Sequence, residues 1–318
     1  MELSEDDLIA AIGRVLSGSG PEVLVGPGDD AAVLSPGGGE LVLTADALIE
    51  GVHFDLGIAS ARDLGYKAIV VNVSDIAAMG ASPRAALVTL ALRIDLPAAW
   101  VIELFGGMRE ACDEHALWLV GGDLSRAEQI AISVTVTGEV APGRAVTRSG
   151  AIPGDLVAVT GELGASAAGL RGAMNGRVHT PRERALVRSH LRPVARVGEG
   201  SVLAACGATA MMDISDGLAM DLGRLVRASG VGARVRLQDL PIAEGATLED
   251  AIGGGEDYEL LVTLSRAALG AAEAELRAAF GTSLTEIGEV VSGAQVTAIE
   301  PGGVERPLGS AGWDHLRA

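Results

Sequence analysis

The order in which two hydrophobic periods alternate along this chain constrains its fold more than any other feature. "ELVLTAD", "RAALVTLALRI" and "QIAISVTVTGEV" read as strands, the first ending near Asp46, and "ALWLVGGD" reads as a buried strand running into a glycine turn. "AAWVIELFGGMREACDEHA" has helical spacing behind Pro97. "ARDLGYKAIVVNVSDIAAMGA" supports two readings: its Val-rich centre suggests a strand, its length and Gly80 a helix. As a helix it would set Asn72 and Asp75 three apart on one face. The resulting order, strand, helix, strand, helix, strand, strand, is that of an α/β or α+β domain.

"APGRAVTRSGAIPGD", Ala141 to Asp155, is rich in Gly, Pro and Ser and divides this series from a second one. The second contains strands in "LVAVTG", "ATAMMDI", "GARVRL", "DYELLVTL" and "SLTEIGEV". Its helices lie in "GASAAGLRGAM", "ERALVRSHL", "PVARVGEGSVLAAC" and "DGLAMDLGRLVRASG", the last ending at Gly230. A length of 318 residues suits two domains, 1–140 and 150–318.

Charge and composition exclude several functions. A net charge of −18 opposes binding to nucleic acid, which needs clustered Lys and Arg. Lys67 is the single lysine, and "DLGYKAIV" does not fit the Gly-x-x-x-x-Gly-Lys-Ser/Thr phosphate loop or the protein-kinase set. No run of eighteen apolar residues exists, so no membrane span is expected. The acidic start "MELSEDDLIAAIG" is unlike a secretion signal. Cys112 and Cys206 fall in apolar helical patterns and read as buried thiols in a reducing cytoplasm.

Carboxylates carry the candidate chemistry. "VGPGDDAAV" approaches a dinucleotide-binding glycine frame, yet Asp29 and Asp30 inside it would repel a pyrophosphate. Asp46, Asp75, Asp123, Asp213 and Asp216 extend the pattern, most of them where a strand or turn ends. Hard oxygen ligands without Cys or His partners suit Mg²⁺, which takes one or two carboxylates together with substrate phosphates. The alternative for any one aspartate is a turn or helix cap, and Asp216 before "GLAMDL" reads as such a cap. "TGELGASAAGL" resembles a phosphate-cradling turn before a helix, although close helix–strand packing explains its glycines equally well. Of the histidines, His115, His179, His190 and His315 show no metal-ligand spacing.

Seven stretches occur in order across nearly the whole chain: "GDDAAV", "TADALIEGVHF", "YKAIVVNVSDIAAMGA", "LVGGD", "GRAVTRSGAIPGD", "DISDGLAMDL" and "GGGEDYEL". Together they resemble the thiamine-monophosphate kinase family, whose superfamily includes aminoimidazole ribonucleotide synthetase, selenophosphate synthetase and a hydrogenase-maturation protein. The resemblance implies a two-domain α/β fold with an N-terminal mixed-sheet domain that binds ATP and metal. That domain would dimerise through a β-barrel formed between subunits. It implies ATP-dependent phosphorylation of thiamine monophosphate to thiamine diphosphate in the cytoplasm by a homodimer, with several Mg²⁺ ions and no nucleic-acid or membrane partner. By motif, metal ligands carry over onto Asp30, Thr44, Asp46, Asp75, Asp123, Asp213 and Asp216. Nucleotide contacts carry over onto Gly122, Asp123, Arg148 and Ser215, and substrate contacts onto His53, Glu256 and Trp313. Ala45 departs from a frequent hydroxyl residue, and Trp313 from another aromatic.

The chemistry agrees with these residues. A phosphate monoester is mostly a dianion at neutral pH, its second pKa being near ~6. It needs no strong base, and no Ser-His-Asp or Cys-His arrangement is evident. Direct in-line transfer without a phosphoenzyme follows. A sister ATP-dependent reaction and a non-catalytic nucleotide-binding regulator are the alternatives. Against selenophosphate synthesis, the first cysteine is Cys112 rather than one near the N-terminus.

Overall fold

The computed structural model describes residues 37–176, 178–309 and 311–313, with short pieces at 12, 14–15, 23–25 and 33–34. The chain divides into two compact units, Met1–Ile76 with Ser82–Gly143, and Ala77–Ala81 with Arg144–Ala318.

In the first unit β1 (Val23–Val25) pairs antiparallel with β2 (Val33–Leu34). A four-stranded sheet follows, built from β3 (Glu40–Ile49), β4 (Ser82–Leu92), β5 (Trp118–Arg126) and β6 (Ala131–Val140) in the order β3-β6-β4-β5. Only β4 and β5 run parallel, and the other two pairings are antiparallel. Alternation sends Ile132, Val134 and Val136 of β6 into the core, while Ser133, Thr135 and Thr137 take the other face.

Helices α1 (Ala61–Ala78) and α2 (Ala98–Glu114) connect these strands. The ambiguous Val-rich segment is α1, and its ambiguity has a physical cause. Ile69, Val70, Val71, Val73 and Ile76 are all buried, as are Lys67, Asn72 and Ser74. A helix buried on nearly every side shows no amphipathic stripe, and burial overrides the weak helix propensity of valine.

One expectation needs correction. "VGGD" does not end β5 in a turn, because the strand runs on through both glycines to Arg126 beside β4. A Cβ on Gly122 would lie 1.9 Å from the Val88 carbonyl oxygen, so glycine here permits close approach of two backbones.

The second unit holds a seven-stranded sheet. Its strands are β7 (Leu156–Thr160), β8 (Ala210–Asp213), β9 (Gly232–Arg236), β10 (Leu260–Leu264), β11 (Leu284–Val291), β12 (Val296–Ile299) and β13 (Glu305–Pro307), in the order β13-β12-β9-β11-β7-β10-β8. Its helices are α3 (Ala165–Met174), α4 (Pro181–Leu191), α5 (Val197–Ala205), α6 (Leu218–Ser229), α7 (Leu248–Gly253) and α8 (Arg266–Phe280). Successive residues of one strand enter different cores. Val157, Val159, Met212 and Leu261 join Leu222 and Leu225 of α6. Ala158, Met211, Leu260 and Val262 join Leu203 of α5 and Leu276 of α8. Apolar layers on both faces explain why these strands read as unbroken apolar runs. Cys112 is buried as expected, but Cys206 caps α5 and remains partly exposed, its Sγ 3.3 Å from Glu275. No helix among the described residues is long and apolar enough to cross a membrane.

Candidate active site

In the first unit, Thr44 and Asp46 stand two apart on β3 opposite Asn72 and Asp75 of α1. The Thr44 hydroxyl donates to Asp75 Oδ2 at 2.5 Å. The Asp46 amide donates to Asn72 Oδ1 at 2.9 Å, and Asn72 Nδ2 donates to the Ala68 carbonyl. Asn72 is the buried strut of this arrangement, fixing the backbone at Asp46. Ala45 pairs with Thr135 on the opposite, open face of the sheet, so its missing hydroxyl would not have reached Asp75.

Asp123 shares that open face. The register places it in the row Ala47–Ser133–Thr89–Asp123, whereas Asp46 belongs to the row Asp46–Val134–Val88–Gly122. The Ser125 hydroxyl donates to Asp123 Oδ2 at 2.9 Å. His53 follows β3, and its Nδ1 accepts from the Ile49 amide at 3.0 Å. The neutral ring therefore carries its proton on Nε2. Asp30 lies outside the described residues.

In the second unit two loops run side by side. Ile214 to Gly217 leaves β8, and Gly254 to Glu259 enters β10. The Glu256 amide donates to the Ser215 carbonyl at 2.7 Å, and the Tyr258 amide to that of Ile214 at 2.9 Å. The Trp313 amide joins them, donating to the Asp216 carbonyl at 3.0 Å, while its side chain stays exposed. The structure thus brings Asp213, Ser215, Asp216, Glu256 and Trp313 to one end of β8. Arg148 is exposed and lies beside the edge of β8 through its neighbour Thr147, whose carbonyl accepts from the Met211 amide.

Asp216 is not the helix cap it resembles. Asp221, in the first turn of α6, takes that role: its Oδ2 accepts the amides of Ser215, Asp216 and Gly217 at 3.0, 2.9 and 3.1 Å. Burial pushes its carboxyl up to about 6, against those bonds and the neighbouring Arg224. Arg224 Nη1 bridges Asp216 Oδ2 at 2.5 Å and Asp221 Oδ1 at 2.6 Å. The sequence signal for Asp221 was the second aspartate of "DGLAMDL", one helical turn inside a helix start.

Asp257 answers the question raised by "TGELGASAAGL". Its carboxyl group accepts the Gly164 amide at 2.7 Å and the Ser166 amide at 3.3 Å, so an internal side chain occupies the start of α3. Glu259, three residues after Glu256, is structural: Arg196 binds it through two nitrogens and the Thr160 hydroxyl through a third bond. Among the described residues, no three His, Cys, Asp or Glu side chains gather closely enough to hold a metal ion.

Residues 28–140 match the family described as AIR synthase related protein, N-terminal domain, and residues 153–300 its C-terminal domain. The thiamine-monophosphate kinase of Escherichia coli (strain K12) is 38% identical over 331 residues, covering 99% of each chain. This chain belongs to the thiamine-monophosphate kinase family. The crystal structure of thiamine-monophosphate kinase from Stenotrophomonas maltophilia K279a aligns with a TM-score of 0.83 at 36% identity, over 94% of this chain and 97% of that one. A structure described as AaThiL complexed with AMPPCP and TMP aligns with a TM-score of 0.78 at 37% identity, over 99% and 98%. Membership in the thiamine-monophosphate kinase family makes the chain an enzyme of the two-domain α/β class, and the two mixed sheets are that fold.

Proposed function

We propose that this chain transfers the γ-phosphoryl group of ATP to thiamine monophosphate, giving thiamine diphosphate and ADP. The observation that carries the reading is full-length likeness to a structure complexed with AMPPCP and TMP. A terminal oxygen of the acceptor phosphate forms the new bond to the γ phosphorus. The bond to the β,γ-bridging oxygen breaks, and ADP leaves with the electron pair. No protein nucleophile takes part.

Mg²⁺ fits the donors. Thr44, Asp46 and Asp75 present hard oxygens in the first unit, as Asp213 and Asp216 do in the second. With Asp30 and Asp123 these would hold the ions. Bound Mg²⁺ supplies charge neutralisation along the polyphosphate. The chain's own part is positioning. Asn72 fixes the Asp46 backbone, and Asp221 fixes the loop that carries Ser215 and Asp216. On this reading Gly122, Asp123, Arg148 and Ser215 contact the nucleotide. His53, with its Nε2 proton, donates to the acceptor's phosphate. Glu256 faces the cationic thiazolium, and the exposed Trp313 offers a flat face for cation–π attraction of ~0.5–2 kcal/mol.

A homodimer in the cytoplasm completes the reading. Leu41 and Leu43, 67% and 63% exposed, and Leu87, 45% exposed, lie on the open face of the four-stranded sheet, a natural surface for a second subunit. A coupled assay of purified protein tests the function. ADP release should require both Mg²⁺ and thiamine monophosphate, with thiamine diphosphate recovered in equal amount. ATP turnover indifferent to the acceptor would reject it.

A further inference from the structure

We infer that His190 is a positioning residue that orients the Glu256 carboxylate and thereby sets affinity for the acceptor. The inference rests on the reading of Glu256 as a substrate contact. Glu256 is a non-glycine residue at φ +65°, a conformation that persists only where the surroundings impose it. Its backbone is pinned by the bond to Ser215, which leaves the direction of its long side chain to be fixed separately. His190 does this. Its Nδ1 lies 3.2 Å from Glu256 Oε2 and 3.0 Å from the Ser166 hydroxyl.

A carboxylate can only accept, so the contact with Glu256 holds His190 in the tautomer whose Nδ1 carries the proton, with the Ser166 hydroxyl meeting the same nitrogen. The ring sits in the last turn of α4. The His190 side chain is 7% exposed and that of Glu256 25%, so the imidazole is buried while the glutamate side chain stays partly accessible. Ser166 is itself fixed, its amide bonded to Asp257, the residue after Glu256. Consecutive residues are therefore held through both side chains by the start of α3 and the end of α4. A carboxylate ordered before binding spares the acceptor that ordering, which appears as affinity rather than as rate.

The test compares His190→Ala, His190→Asn and Glu256→Gln by steady-state kinetics and thermal melts. His190→Ala should raise KM for thiamine monophosphate by about fivefold to tenfold, with KM for ATP and kcat within about twofold of wild type. His190→Asn keeps a donor near the Nδ1 position and should recover most of that loss. The double variant should be no weaker than Glu256→Gln alone, because His190 acts through Glu256. If His190→Ala does not fold, His190→Leu, which fills the ring's space without a donor, carries the same comparison with His190→Asn. An unchanged KM in the donor-less variant, while Glu256→Gln raises it, overturns the role of His190 alone. An unchanged KM in Glu256→Gln removes the substrate contact itself, and the proposal with it.

Discussion

At the scale of a single residue, Asp75 offers a test that can separate catalysis from folding. Its Oδ2 accepts from Thr44, and an asparagine oxygen can accept the same bond. Asp75→Asn should therefore keep the wild-type melt while removing the charge expected to hold metal. Activity should drop by roughly a hundredfold or more. Full activity at ordinary Mg²⁺ would falsify the ligand assignment. Asp257 offers a pH test at the same scale. Its carboxyl is pushed up to about 7 from 3.8, chiefly by burial and in smaller part by Glu259 and Asp250, against the amides of Gly164 and Ser166. The unfolded chain gives up this proton first as pH rises. The stability it contributes is therefore fully present below the ordinary carboxyl range and is lost as pH climbs through about 7. The wild-type melt should decline from about pH 4 to about pH 7 and level off above, and Asp257→Asn should show a flatter profile over that window. Equal slopes for the two proteins would contradict the shift.

At the scale of elements, the crossing of α1 and α2 depends on two glycines. A Cβ on Gly65 would lie 1.9 Å from the Leu104 carbonyl oxygen, and one on Gly107 would lie 1.8 Å from that of Arg62. Each helix thus presses a bare glycine against the backbone of the other. Backbone cannot step aside as a side-chain tip can, so the helices would have to separate. Gly107→Ala should destabilise the fold by about 1–3 kcal/mol, read as a lower midpoint in denaturant. Because α1 carries Asn72 and Asp75, activity should fall further than unfolding alone explains. An unaltered midpoint would mean that the helices meet less closely than this.

At the scale of the whole molecule, the proposed dimer makes the sharpest demand on the surface. The row from Leu43 to Thr137 and the row from Leu87 to Thr135 form an open face mixing leucines with hydroxyls. A charge placed there would have to be buried without a partner. Light scattering should report a dimer for wild type and a monomer for Leu43→Arg. A wild-type monomer at micromolar concentration would remove the dimer from the reading. The excess of acidic residues belongs to this scale also, since a net charge of −18 repels polyanions at long range.

Local pattern determined much of this protein. The period-2 strands of the first unit, the apolar runs of the second and the helix stop at Gly230 are all visible in the sequence, because side-chain periodicity and glycine are local properties. The seven motifs likewise mark the family without any coordinates. Tertiary structure alone decided what each polar residue does. Asp216 and Asp221 both sit near a helix start, yet only the fold shows Asp221 taking the loop amides and Asp216 paired with Arg224. His190 had no motif and no ligand spacing, and gained a partner only when α4 brought it to a residue 66 positions away, at Glu256. The Val-rich segment became a helix because neighbours covered it on nearly every side. In each case the deciding energy comes from burial and from hydrogen bonds between groups far apart in sequence, which no local period records.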